Sequence, residues 1–226
     1  MQSTPLDAKT LCALLRQELA DVEQRIKANT WLAELEAGRL PTEALQAFAG
    51  EQLQIIPSDL RSFETLAQRF PADPAHGYLA GLAAAERVAL SALEVFATAV
   101  GFDGAARQRY EAVPGCQVYP SYLARLARDG TPAQIAGALL VNLDAWGRCC
   151  ARVADALRTN YRLSPADCAF FAHFAGPTTE LERISLEVIG AGLAHGVDPA
   201  GIRQAASLLQ AYELLFWESL PRGACT

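Results

Sequence analysis

Residues 203–220, RQAASLLQAYELLFWESL, decide how this chain is read. Leu209, Tyr212, Phe216 and Leu220 recur at steps of three and four, the repeat of a helix with one apolar face. At 3.6 residues per turn, Glu213 falls beside Leu209, Phe216, Trp217 and Leu220 and away from Arg203, Ser207 and Glu218. A carboxylate among Leu, Phe and Trp is costly unless a polar group meets it or its pKa rises. Glu213 is therefore the first candidate for chemistry, as an acid/base or as an anchor for a ligand.

Working outward, the helical pattern continues to the other end of the chain. Four small polar residues stand before proline, at Thr4-Pro5, Thr131-Pro132, Ser164-Pro165 and Asp198-Pro199. An N-cap oxygen satisfies a free amide there, and proline in the first turn wastes no donor. Gln134 completes a capping box with Thr131. Helices are predicted over residues 5–27, from 42 to a kink or end at Pro57 with the pattern resuming through Phe63 and Leu66, and over 77–100, with Gly101 as a left-handed cap. Residues 103–118 are mixed, with room for a short helix before PGC (114–116). Further helices are expected over 119–129, closed by Gly130, over 132–160, briefly after Pro165, over 179–195 with Gly196 as its cap, and over 199–220. No run alternates with clustered β-branched residues. The expectation is an all-α single domain spanning 1–226, with seven to nine helices.

Composition narrows the functional classes. Of 226 residues, 51% are apolar and 19% charged, enough to bury one large core. The net charge of −6 comes without a run of Lys or Arg, so the basic footprint of a nucleic-acid binder is missing. No stretch reaches the roughly 18 apolar residues of a membrane span, and the first ten residues lack a signal peptide's apolar core. Cysteines at 12, 116, 149, 150, 168 and 225 form neither a CxxC pair nor a zinc spacing. A cytoplasmic protein is expected, with no cofactor and no metal.

Besides Glu213, three polar side chains sit on apolar stripes of other long helices. Gln52 shares the stripe of Leu45, Phe48 and Ile56. Glu86 shares that of Leu79, Leu90, Leu93 and Ala97. Asn142 lies on the line Ile135–Leu139–Trp146–Val153. If these helices pack around one centre, the four groups converge on a small-molecule pocket. The plainer alternatives are backbone hydrogen bonds for Gln52 and Asn142 and an arginine partner for Glu86. His173, among Phe170, Phe171 and Phe174, reads as a core histidine or a ligand contact. His195 reads as a helix C-terminal residue favoured by the dipole, His76 as loop surface, and Asp144 with Arg148 as an exposed i,i+4 pair.

The layout, the YELLFW motif (212–217), AGRLPTEALQAFAGEQ (37–52) and YPSY (119–122) resemble the TenA/thiaminase II and pyrroloquinoline-quinone synthase C superfamily. The resemblance covers about residues 28–220 and implies a haem-oxygenase-like multi-helix bundle. Thiaminase II enzymes cleave thiamin-type aminopyrimidines with a cysteine nucleophile and a C-terminal glutamate. The resemblance places Glu213 on that glutamate and Tyr119 on a pocket tyrosine. It puts Asn142 in the cysteine's place, and Gln52 where the family has an aspartate that holds the aminopyrimidine. An amide can neither attack like a thiolate nor replace a carboxylate as acceptor for a cation.

Di-iron oxidases of the superfamily use glutamates and histidines on facing helices. Glu86 matches one such ligand, but Leu93, Pro177 and Glu180 stand where others are expected. The expected protein binds, and transforms or merely holds, a small heteroaromatic metabolite, with pyrimidine-like rings among the candidates. Glu213 is the candidate acid/base, and Gln52, Glu86, Tyr119, Asn142, Trp146 and His173 are the candidate ligand contacts. The alternatives are a cofactorless or di-iron-type oxidase, and a non-catalytic regulatory or interaction protein. A homodimer or homotetramer is expected from the resemblance and from Trp217, placed near the polar side of the last helix.

Overall fold

The structure, a computed structural model, describes residues 6–223 and holds no strand among them. Thr4-Pro5 and Cys225 lie outside the described residues. Eleven helices follow in order: α1 (Ala8–Glu18), α2 (Ala20–Lys27), α3 (Thr30–Glu36), α4 (Thr42–Arg69), α5 (Ala75–Ala99), α6 (Gly104–Arg109), α7 (Pro114–Asp129), α8 (Pro132–Asn160), α9 (Ala169–Phe174), α10 (Thr179–Ala194) and α11 (Pro199–Ser219).

The all-α expectation holds, but the helix count was too low. The first predicted helix is two, broken at Leu19 (φ −96°, ψ 2°). The break lets Leu11, Leu15 and Leu19 enter one core cluster while Ile26 enters another. The sequence reading passed over α3. Asn29 caps it by accepting from the Leu32 amide at 2.8 Å, and it buries Trp31, Leu32 and Leu35. Pro57 does not end α4, which is continuous for 28 residues because apolar neighbours are buried on either side of the proline. At α8 the capping box forms in full, Thr131 N–H donating to Gln134 Oε1 at 2.8 Å and Gln134 N–H to Thr131 Oγ1 at 3.3 Å. Gly101 (φ +73°) and Gly196 (φ +84°) take the left-handed conformation expected of them.

Four long helices carry the architecture, and each passes through two core clusters. On α4, Leu45 and Phe48 belong to one cluster and Phe63 and Leu66 to the other. α5 divides in the same way between Phe96 and Leu79, α8 between Val153 and Ile135, and α11 between Phe216 and Leu209. The polar residues of the stripes lie where these helices cross from one cluster to the other. A hydrophobic stripe interrupted at one level on four helices leaves a polar girdle inside the fold.

Trp217 is a correction. It was placed near the outer side of the last helix as ground for a partner surface, yet it is only 1% exposed. Its ring lies 5.9 Å from Trp31 and 5.5 Å from Trp146. The helical wheel put Trp217 near the polar side of α11, and the rings of Trp31, Phe48 and Trp146 from other helices pack against it there.

Candidate functional site

The girdle encloses a cavity with about 450 Å³ of empty space, solvent at its mouth included. Gln52 and Asp59 of α4, Glu86 of α5, Tyr119 of α7, Asn142 and Trp146 of α8 and Glu213 of α11 all line it, with Phe174 and Phe216 among the apolar walls. Gln52, Glu86, Asn142 and Glu213, chosen from four separate stripes, thus face one interior space. His173 does not line this cavity. It is exposed on α9 and lines a larger neighbouring cavity that shares Glu86, Tyr119, Leu143 and Phe174 with the first. Being exposed, it is not the core histidine that its phenylalanine neighbours had indicated, because only Phe170 and Phe171 of that short helix turn fully inward.

A chain of hydrogen bonds runs along one wall. The Tyr119 hydroxyl donates to Asn142 Oδ1 at 3.0 Å, and Asn142 Nδ2 donates to Glu213 Oε2 at 2.5 Å. The indole N–H of Trp217, one turn along α11, donates to Glu213 Oε1 at 3.2 Å. The same Asn142 nitrogen approaches Gln210 Oε1 at 3.4 Å. Both oxygens of Glu213 thus face neutral donors and neither meets a cation directly. Burial pushes its pKa up to about 8, against the opposing pull of the Trp217 hydrogen bond and of Arg148. Arg148 is held elsewhere, by Asp144 at 2.8 Å and by Glu23.

Tyr119 reaches this wall because α7 is tied to α4 from behind. The carboxylate of Glu51, fully buried, accepts from the Tyr110 hydroxyl at 2.5 Å, from the Val113 amide at 2.6 Å and from Gln117 Nε2. Glu51 and Gln52 are adjacent in sequence but serve different ends, one fastening α7 and the other lining the cavity. Trp146 faces the site at the centre of an aromatic group, its ring 5.9 Å from Phe216 and 6.0 Å from Phe174.

Two polar residues at the girdle were missed by sequence reasoning. Asp59 lies seven residues beyond Gln52 on the same face of α4, and assuming a kink or end at Pro57 hid that relation. Gln210 precedes Glu213 by three residues, so α11 presents both on one side. Asp59 and Glu86 are two further acids on the wall of the same cavity, outside the hydrogen-bond chain. Asp59 Oδ1 and Glu86 Oε2 are buried without a hydrogen-bond partner. Burial pushes Glu86 up to about 8, and burial followed by repulsion from Glu86 raises Asp59 well above the usual carboxylate range.

A di-iron centre does not fit these residues. Among the described residues no three His, Cys, Asp or Glu side chains gather where they could hold one ion. Leu93, which the sequence resemblance puts in the place of a histidine ligand, is packed in the core. No cysteine lines the cavity, and burial pushes the Cys149 thiol up to about 12. Among the described residues, no helix is long and apolar enough to cross a membrane.

Comparison with known proteins gives the same architecture. A family model described as the TENA/THI-4/PQQC family matches residues 17–220. A TenA homologue from Pseudomonas syringae pv. tomato DC3000 superposes with a TM-score of 0.78 at 13% identity, over 97% of each chain. A TenA homologue from P. horikoshii OT3 gives 0.74 at 16% identity, over 92% of this chain and 96% of that one. A domain of unknown function with a haem-oxygenase-like fold, from Shewanella denitrificans OS217, gives 0.70 at 14% identity, over 92% and 89%. No curated protein matches the chain. The fold is the haem-oxygenase-like helical bundle.

Proposed function

This chain belongs to the TENA/THI-4/PQQC family, and on that premise we propose that it binds a small heteroaromatic metabolite in the girdle cavity, with Glu213 exchanging a proton with a ring nitrogen or substituent. The observation that carries this is the chain Tyr119–Asn142–Glu213–Trp217 on the wall of a cavity otherwise walled by aromatic rings. Flat walls such as Trp146 and Phe216 suit a planar ring. A carboxyl with a pKa near 8 holds and releases a proton near neutral pH, the condition for general acid–base work.

The chemistry proposed is non-covalent. The sequence resemblance puts Asn142 in the place of the thiaminases' cysteine, and an amide offers no ionisable nucleophile. A quinone-synthase-like oxidation of a polyacidic substrate has less support, because the polar residues lining the cavity include no Lys or Arg. The setting proposed is the cytoplasm.

The test is thermal. Pyrimidine, pyridine and quinoline derivatives at millimolar concentration should raise the melting temperature selectively. Glu213→Gln should keep the fold and weaken that response, and Trp146→Ala should remove it. A melting curve indifferent to every ring compound would exclude this function and favour a non-catalytic interaction protein.

A further inference from the structure

Asp59 and Glu86 take no part in the hydrogen-bond chain of Glu213, yet both face the same cavity. Asp59 is 5% and Glu86 8% exposed, and each leaves one carboxyl oxygen buried and unpartnered. Buried carboxyls are ordinarily paired or hydrogen-bonded, because an unmet polar group loses its hydration for nothing. Here no basic side chain reaches them. Arg61, the cation that acts on Asp59, is itself exposed. The other titratable groups around the pair are Tyr78, Tyr119 and Glu213, all acids, with His173 exposed on the shared outer cavity. Two buried, unpartnered carboxyls on the wall of one cavity resist ionising together while nothing positive stands beside them. A cation placed between them would let both do so.

We propose that Asp59 and Glu86 together form a subsite for a positively charged nitrogen of the ligand, a protonated amine or amidine carried on an apolar ring. This rests on the proposed function, since the ring is the one held by Trp146 and Phe216. A metal ion is the poorer occupant, because two carboxylates without a third protein ligand leave most of a coordination sphere unfilled. An ammonium group has three donors to offer the unpartnered oxygens of Asp59 and Glu86, and Ile55 and Ile56 on the same wall suit the apolar carbon beside it. The assignment gives the site two polar ends. Glu213 meets one edge of the ring, and the pair meets a basic substituent on another.

The experiment compares benzylamine with benzyl alcohol, which match in size and ring but differ in charge, by isothermal titration and by melting temperature at pH 7.5. Benzylamine is expected to bind at least ten-fold more tightly. Asp59→Asn and Glu86→Gln should each erase that preference while leaving benzyl alcohol binding in place. Both variants should melt no lower than the wild type, because each removes a buried carboxyl without a partner; two independent variants guard against one failing to fold. Equal binding of the two probes would overturn the amine subsite and leave the ring pocket standing. No binding of either probe would remove both the subsite and the proposed function. Stabilisation by Mn²⁺, with none by benzylamine, would overturn the assignment in favour of a metal.

Discussion

Asn142 shows at the scale of one residue how a neutral amide can hold two acidic side chains in place. It accepts from Tyr119 and donates to Glu213, which positions both, but it has no lone pair that becomes nucleophilic near neutral pH. The buried Cys149 cannot take over, since its thiol stays protonated far above neutral pH. Wild-type protein is therefore expected not to hydrolyse thiamin or its aminopyrimidine products at a useful rate. Glu213 acting alone on water would supply only ~10²–10⁴-fold. Assays of Asn142→Cys, and of Asn142→Cys with Gln52→Asp, show whether a thiol and a carboxylate at these positions give turnover; substantial turnover by wild type would refute the inference from Asn142. Tyr119→Phe should cost about 1–2 kcal/mol of stability, because Asn142 Oδ1 loses the hydroxyl that meets it. Equilibrium unfolding in urea measures that loss, and an unchanged midpoint would show that the bond adds nothing to the fold.

At the scale of elements, the site depends on how closely α9 lies on α8. A Cβ at Gly147 would stand 2.6 Å from the backbone oxygen of Phe174, whose ring walls the cavity. Gly147→Ala must push α9 outward and is expected to destabilise by about 1–3 kcal/mol while weakening ring binding. Gly190 in α10 is the control. Its nearest neighbour would be Ala8 Cβ at 4.0 Å, so Gly190→Ala should gain about 0.5–1 kcal/mol through helix propensity alone. Chemical denaturation of the two variants side by side decides the point, and equal effects would refute the steric account.

The same scale explains what was legible in the sequence. Gln52, Glu86, Asn142 and Glu213 could be found because each interrupts a stripe on a long regular helix. Asp59 escaped because Pro57 ordinarily disrupts a helix, and only tertiary burial keeps α4 intact across it. α3 has seven residues, too few for periodicity to register, and only Asn29 announced it. Trp217 escaped because a helical wheel shows which face a residue occupies, not which neighbour covers it.

At the scale of the whole molecule, three carboxyls held in the fold's interior make stability depend on pH. Glu86 and Glu213 titrate at about 8, and Asp59 is also raised, whereas in the unfolded chain such groups release their protons near pH 4. Below about pH 4 both states hold these protons, and the fold loses nothing. As pH rises, the unfolded chain releases them first and binds fewer than the native protein, so stability falls with pH, and the Glu86 and Glu213 contributions level off above about 8. The exposed ion pairs act in another window: arginine partners lower the pKa of Glu34 and Glu36, whose contributions are complete above the ordinary carboxylate range. Partial burial of its ring lowers the pKa of His173, which acts in the opposite sense, below the ordinary imidazole range. One exposed imidazole is a small correction to three buried carboxyls. The unfolding free energy is therefore expected to decline between pH 5 and 8, on the order of 1 kcal/mol per pH unit for each group still protonated in the fold, and the melting temperature to decline with it. Glu213→Gln and Glu86→Gln should each flatten that slope, because glutamine has no proton to lose. A melting temperature that stays level or climbs across this interval would mean that the three carboxyls are ionised inside the protein and that their charge is already met.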